Sequence, residues 1–226
     1  MNKDNLKSKG FTLVEILLAV AIFGILMITL FFSFDSFITS GNAIKNEILE
    51  IERKNIFKKI SIDLKSIYIL HAPRYLKPEF DSSFDDFRFL GDETSIGGSF
   101  FSRLKFVSSN HVALGDDTRT GMAQIIYYIR LNDENKFDLC RSDNLLCFQD
   151  KKAKMCDPVI CKNIEKFELF YVDNKNNKYK YWDSESSEFE YIIPTSVIIK
   201  IQIKQRKNII NLETTIKLPI YRKVLK

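Results

Sequence analysis

Phe11–Phe34 reads FTLVEILLAVAIFGILMITLFFSF, an apolar run whose only ionisable side chain is Glu15. As an α-helix these residues rise about 36 Å, enough to cross the roughly 30 Å hydrocarbon core of a bilayer. Before the run, Met1–Gly10 (MNKDNLKSKG) carries three lysines against one aspartate, a net +2; Asp35 follows it. Basic residues on the entry side predict a cytoplasmic N-terminus and an exported remainder. A secretory signal peptide would have a shorter apolar stretch ending in small residues. Here the stretch is too long and leads into the bulky Ser33-Phe34-Asp35-Ser36-Phe37.

Glu15 separates a plain anchor from something more specialised. A carboxylate within a bilayer costs roughly 2.5–3.5 kcal/mol on insertion scales, so it calls for a partner or a task. No Lys, Arg or His lies in Phe11–Phe34 to pair with it. A cut between Gly10 and Phe11 would place a new α-amine one helical turn from Glu15, and the amine of a neighbouring helix would then meet this acid as helices stack. The plainer alternative is an acid tolerated near the membrane edge.

Lys9-Gly10-Phe11-Thr12-Leu13-Val14-Glu15, followed by an unbroken apolar helix, resembles the class III signal of type IV pilins and type II secretion pseudopilins. The resemblance implies cleavage after Gly10 by a membrane prepilin peptidase and N-methylation of the new N-terminal Phe11. It also implies a role for Glu15 in registering subunits within a filament.

Beyond the span no proline occurs until Pro73, and Gly41 weakens the helix by only about 1 kcal/mol. Residues 35–70 therefore read as an amphipathic continuation of the helix. Phe37, Ile44, Ile48 and Ile51 line one stripe; Leu49, Ile56, Ile60, Leu64 and Ile67 line another, rotated by about 130° at 100° per residue. The change of stripe predicts a lower half facing other subunits and an upper half packed on its own sheet; a helix embedded on two sides of one domain is the alternative. Lys45, Glu47, Glu50, Glu52, Arg53, Lys58 and Lys59 read as solvated faces.

Residues 71–226 read as an extracytoplasmic head. Its first part, 71–99, is expected to be irregular, with Phe80, Phe84, Phe87 and Phe89 anchoring it to a sheet. From Phe100 the apolar period becomes two: Leu104/Phe106, Ile125/Tyr127/Ile129/Leu131 and Phe137/Leu139. Asn132–Asn135, Asp173–Asn177 and Gln205–Asn208 are turn-forming runs that close three hairpins. The fold class is α+β: a long N-terminal helix on an antiparallel β head, expected as two sheets.

Segment order also resembles the J-type minor pseudopilin. The matching pieces are Phe89-Leu90-Gly91, Arg103–Val107, Ile125–Ile129, Ile164–Tyr171, the Trp182 segment, and Ile193-Pro194 leading into Val197–Ile203. Glu15 departs from the K-type tip subunit, which lacks an acid there. This resemblance implies a place near a pseudopilus tip, beside I- and K-type minor subunits and the G-type major one, in the bacterial inner membrane and then the periplasmic filament. A minor pilin of a type IV pilus or competence system, and a signal-anchored extracytoplasmic binding domain, are the rival readings.

Cys140, Cys147, Cys156 and Cys161 form an even set in one short stretch. Outside the cytoplasm such a set reads as two disulfides, with three connectivities. Adjacent pairing closes the shortest loops and nested pairing stays open. The spacing C-x6-C-x8-C-x4-C lacks paired zinc knuckles. His71 and His111 are the only histidines and stand in no triad or metal motif, and no G-x-S-x-G, H-E-x-x-H or P-loop occurs, so no enzyme and no cofactor is expected. Asp81, Asp85, Asp86, Asp92 and Glu93 lack the spacing of a calcium loop. Lys200, Lys204, Arg206 and Lys207, with Lys217, Arg222, Lys223 and Lys226, are basic, but Lys200 and Lys204 alternate with core residues as a solvated sheet face does. The +3 left beyond the leader, of +5 in all, is too small to call for nucleic acid.

Overall fold

The computed structural model describes residues 12–71, 74–79, 84–112, 120–146, 157–205, 208–220 and 222; the side chains of 39–53, 205 and 208 are not among those described. Among the described residues one α-helix, α1 (Leu13–Lys65), precedes ten strands. The chain divides into two compact units, Met1–Glu52 and Arg53–Lys226, so the last turns of α1 belong with the head.

In the first unit, Leu13–Ile38 is apolar and long enough to cross a membrane, and none of it is buried. With 26 residues it spans about 39 Å. The Thr29 hydroxyl donates to the Leu26 carbonyl at 2.8 Å, returning a polar group to the backbone of an otherwise apolar surface.

In the second unit, Ile56, Ile60 and Leu64 recur at helical spacing on α1 and are buried against the sheets. The helix ends at Lys65 rather than near residue 70. Ile67 forms an antiparallel bridge with Ser108, and the Tyr68 N–H donates to the Val107 carbonyl at 2.9 Å. The β-branched Ile67 and Ile69 thus enter the core as extended chain rather than as another helical turn.

The strands are β1 (Leu90–Ile96), β2 (Ser99–Ser108), β3 (Ala123–Leu131), β4 (Phe137–Leu145), β5 (Val159–Cys161), β6 (Ile164–Val172), β7 (Lys178–Tyr179), β8 (Trp182–Asp183), β9 (Ser196–Gln205) and β10 (Asn208–Lys217). They form two antiparallel sheets, ordered β5-β4-β3-β2-β1-β8 and β10-β9-β6-β7. The α+β layout and the two sheets agree with the sequence reading, as do the hairpins β3–β4, β6–β7 and β9–β10. Side-chain turns build two of the bends. Asn132 Oδ1 accepts from the N–H groups of Glu134 and Lys136, and Asp173 Oδ1 from those of Lys175 and Asn177.

Residues 90–96 were expected to be irregular; they form β1, paired with β2 from Leu90↔Lys105 to Ile96↔Ser99. The segment LGDETSI has no apolar alternation, because its one buried position is Gly91. Backbone pairing holds this strand, and Gly97 (φ 56°) with Gly98 (φ 82°) closes its turn in a conformation that suits glycine.

Gly91 also sets how closely the sheets approach. A Cβ there would lie 2.0 Å from the ring of Tyr171 on β6. The Tyr171 ring is wholly buried, meets Phe89 edge-on at 5.8 Å, and its hydroxyl has no hydrogen-bond partner among the described residues. An unpaired buried hydroxyl is a desolvation cost without return. Tyr171→Phe is expected to raise stability by about 1 kcal/mol, read as a higher urea midpoint at unchanged slope.

Candidate functional site

Thr12 and Glu15 close the first turn of α1 on each other. The Thr12 N–H and Oγ1 both donate to Glu15 Oε2, at 2.8 and 3.0 Å, and the Glu15 N–H donates to Thr12 Oγ1 at 3.3 Å. This is a reciprocal capping box, T-x-x-E ahead of an apolar run. Counting cations alone left Glu15 without a partner; the structure supplies one from its own chain. The sequence held the signal, since the box is legible in Thr12-Leu13-Val14-Glu15. Both donors converge on Oε2, and Oε1 has no bond among the described residues. Gly10 and Phe11, the expected cleavage and methylation positions, lie outside the described residues.

At its other end α1 carries a buried acid. Asp63 sits in the stripe of Ile56, Ile60 and Leu64 and is fully buried. Arg141 on β4 reaches it with Nε at 2.6 Å and Nη2 at 3.2 Å, and the Tyr127 hydroxyl donates to Asp63 Oδ2 at 2.5 Å. Arg141 Nη1 donates to Asp143 at 2.6 Å. Asp143 in turn accepts from the Val112 N–H at 2.9 Å and meets His111 Nδ1 at 2.6 Å. Lys59 lies 3.8 Å from Asp63 at the cluster's rim. Burial pushes the Asp143 carboxyl up, but His111, the Val112 N–H and Arg141 together outweigh it and hold Asp143 below its ordinary range. Burial likewise opposes the charge on Arg141, and its two carboxylate partners more than restore it. Burial and then Asp63 push the Tyr127 hydroxyl far above its usual range.

A second buried knot gathers at the C-terminal end. Arg222, counted among the basic residues of the sequence, is buried: its guanidinium lies 3.6 Å from the Tyr75 ring and Nη1 donates to Glu185 at 3.1 Å. Tyr75 donates its hydroxyl to Glu185 at 2.9 Å. Lys200 and Lys204 do stand on a solvated face, paired with Glu213 and Glu165.

Sequence reasoning passed over Asp63, Arg141, Asp143 and Glu185. Their signal was positional. Asp63 falls seven residues after Ile56 on an otherwise apolar stripe, and Arg141 and Asp143 follow Leu139 at every second position of β4. His111 belongs to the buried clamp of Asp63, Arg141 and Asp143, whereas His71 is exposed. Of the loop aromatics, Phe89 is buried and Phe87 lies 5.3 Å from Tyr68, while Phe84 is 55% exposed beneath the Arg88 guanidinium; Phe80 lies outside the described residues. Asp92 pairs with Arg103 and Asp85 lies 3.9 Å from Arg222. Among the described residues no three His, Cys, Asp or Glu side chains gather as a metal site. Cys140 on β4 is buried, which pushes its thiol up, and Cys161 lies on the neighbouring β5. Cys147 and Cys156, and with them the expected pairing, lie outside the described residues.

A membrane-length apolar helix followed by two antiparallel sheets is a pilin-like α+β layout. Residues 5–31 match the family model of the prokaryotic N-terminal methylation motif, the type IV pilin-like prepilin signal and the substrate signal of prepilin peptidase. The match takes in Gly10, Phe11, Thr12 and Glu15, and it supports the pilin and pseudopilin family and pilin-like partners. The apolar helix fits a signal-anchored membrane protein. A search of curated proteins found no match.

Proposed function

We propose that this chain is a non-enzymatic structural subunit of a pilus-like filament, a J-type minor pseudopilin of a type II secretion system that supports export of folded proteins across the outer membrane. The observation that carries the reading is the methylation motif over residues 5–31, with Glu15 as the single acid of the apolar run Phe11–Phe34. In this reading prepilin peptidase cuts after Gly10 and Phe11 becomes the methylated N-terminus. The N-terminus faces the cytoplasm and the head faces the periplasm. Subunits leave the bilayer as Phe11–Phe34 exchanges lipid contact for neighbouring helices of I-, K- and G-type partners.

The capping box supports a refinement of the role of Glu15. Thr12 serves Oε2 within the same chain, so the acid waits in the membrane partly satisfied, while Oε1 remains for a partner's amine. Glu15→Ala is expected to leave membrane insertion and head folding intact and to abolish incorporation into filaments. Fractionation of sheared filaments from cells checks this, and normal entry of the variant would end the assembly role.

Mass spectrometry of the mature chain tests the reading as a whole. A methylated Phe11 at the N-terminus is expected, whereas an intact Met1 would mark a tethered domain instead. Co-purification with I- and K-type subunits distinguishes a secretion pseudopilus from a type IV pilus. For Cys140, Cys147, Cys156 and Cys161 the same exported protein, analysed without reduction, is expected to contain two disulfides, and four thiols would refute that pairing.

A further inference from the structure

Among the described residues, three of the four sheet edges are closed by very short strands. On the six-stranded sheet these are β5, three residues long with a register shift against β4, and β8, two residues long; on the four-stranded sheet it is β7, also two residues long. Short or irregular edge strands are how folded proteins keep their sheets from pairing with others. The fourth edge is built differently. β10 runs ten residues, NIINLETTIK, with no proline, glycine or bulge, and pairs with β9 in unbroken register from Asn208↔Gln205 to Lys217↔Ser196. Among the described residues no strand pairs with its other edge. Its even-numbered side chains from Ile210 to Ile216 turn toward the core, and Ile209, Asn211, Glu213, Thr215 and Lys217 are exposed.

The outward row of β10 is self-complementary. Glu213 and Lys217 flank Thr215 at equal distances along the strand. Antiparallel pairing of two such strands about Thr215 joins residues 213–217 of each copy, with each Glu213 opposite the other's Lys217 and the two threonines opposite each other, and opposite charges and Thr–Thr pairs are favoured in that position. The Glu213–Lys200 pair on the same face is exposed and weak, so it does not withhold Glu213 from this contact.

We infer that β10 is a pairing edge for a second copy of this chain, joined strand to strand about a two-fold axis at Thr215. Such a contact uses the same patch on both copies and closes on itself, unlike the head-to-tail contacts that propagate a filament. It therefore holds two copies outside any filament, and it goes beyond the filament role without depending on it.

Thr215→Cys in the full-length chain, oxidised in native membranes, tests the pairing. The expected product is a reducible species of twice the chain's mass, absent from the unsubstituted protein, whose own cysteines serve as the control. Adding Glu213→Lys is expected to lower its yield several-fold by opposing like charges, and the further swap Lys217→Glu to restore it. These residues are exposed, so the head should fold in every variant, and circular dichroism checks that it does. No dimer, a dimer indifferent to the charge swap, or an adduct of another mass would each overturn the inference, whatever the N-terminus of the mature chain proves to be.

Discussion

Asp63→Ala is expected to destabilise the head by about 3–5 kcal/mol, because it leaves Arg141 charged and buried without its main partner. Asp63 takes two bonds from that guanidinium, one from the Tyr127 hydroxyl and one from the Asn110 side-chain amide, and no water-exposed group can replace them at a fully buried position. Asp63→Asn keeps one acceptor oxygen but loses the charge, so its cost should fall between alanine and the native acid. Asp63→Leu combined with Arg141→Met removes this pair but takes a bond from the buried Asp143 and from the Tyr127 hydroxyl, so it is expected to recover only part of the loss. Urea unfolding of the full chain in detergent, followed by the near-ultraviolet signal of Trp182, would rank the three variants. Near-equal midpoints for Asp63→Ala and the native chain would remove the clamp from the account of the fold.

The same cluster predicts a pH dependence. Asp143 is held below its ordinary range in the folded protein, so the stability it contributes is fully present above the unfolded-state pKa near 4. It is lost as pH falls through the lower folded-state value. The native head is therefore expected to lose stability below about pH 4 more steeply than an Asp143→Asn variant.

Gly91→Ala is the second large effect, about 3 kcal/mol, at the upper end for overpacking a core. The added methyl would stand 2.0 Å from the Tyr171 ring, which is wholly buried and packed edge-on against Phe89. Tyr171→Phe does not relieve the contact, because ring atoms as well as the hydroxyl lie within 2.5 Å of the new methyl. Tyr171→Leu should relieve much of it, so the double variant is expected to be more stable than Gly91→Ala alone. Thermal unfolding of the set separates a steric cause from a loss of backbone freedom, which the Tyr171 change would not repair.

How far the fold was legible follows from the kind of signal each element carries. Leu13–Ile38 and the hairpins β3–β4, β6–β7 and β9–β10 announce themselves through a long apolar run, a two-residue period and Asn- and Asp-rich turns. Strand β1 carried none of these, because its one buried residue has no side chain and it is held by backbone pairing with β2 and the Asp92–Arg103 ion pair. The end of α1 was misplaced for a related reason. Ile67 continues the helical stripe, yet it is buried equally well as extended chain bridged to Ser108, and periodicity cannot tell these apart. The clamp was hidden because charges on an amphipathic helix usually face water, and only the positions of Asp63, Arg141 and Asp143 among apolar neighbours spoke against it.

By itself the amino-acid order determined the membrane-length helix, the prepilin-type signal at its start and the class of the head, because these rest on local composition and on spacings that any neighbour along the chain can read. Only the tertiary structure decided which charges are buried, how closely Gly91 lets the sheets meet and which sheet edge stays open. Those depend on residues far apart in sequence: Asp63 and Arg141 become an ion pair only when the sheet is laid against the end of α1, and burial, not residue type, gives their charges their strength.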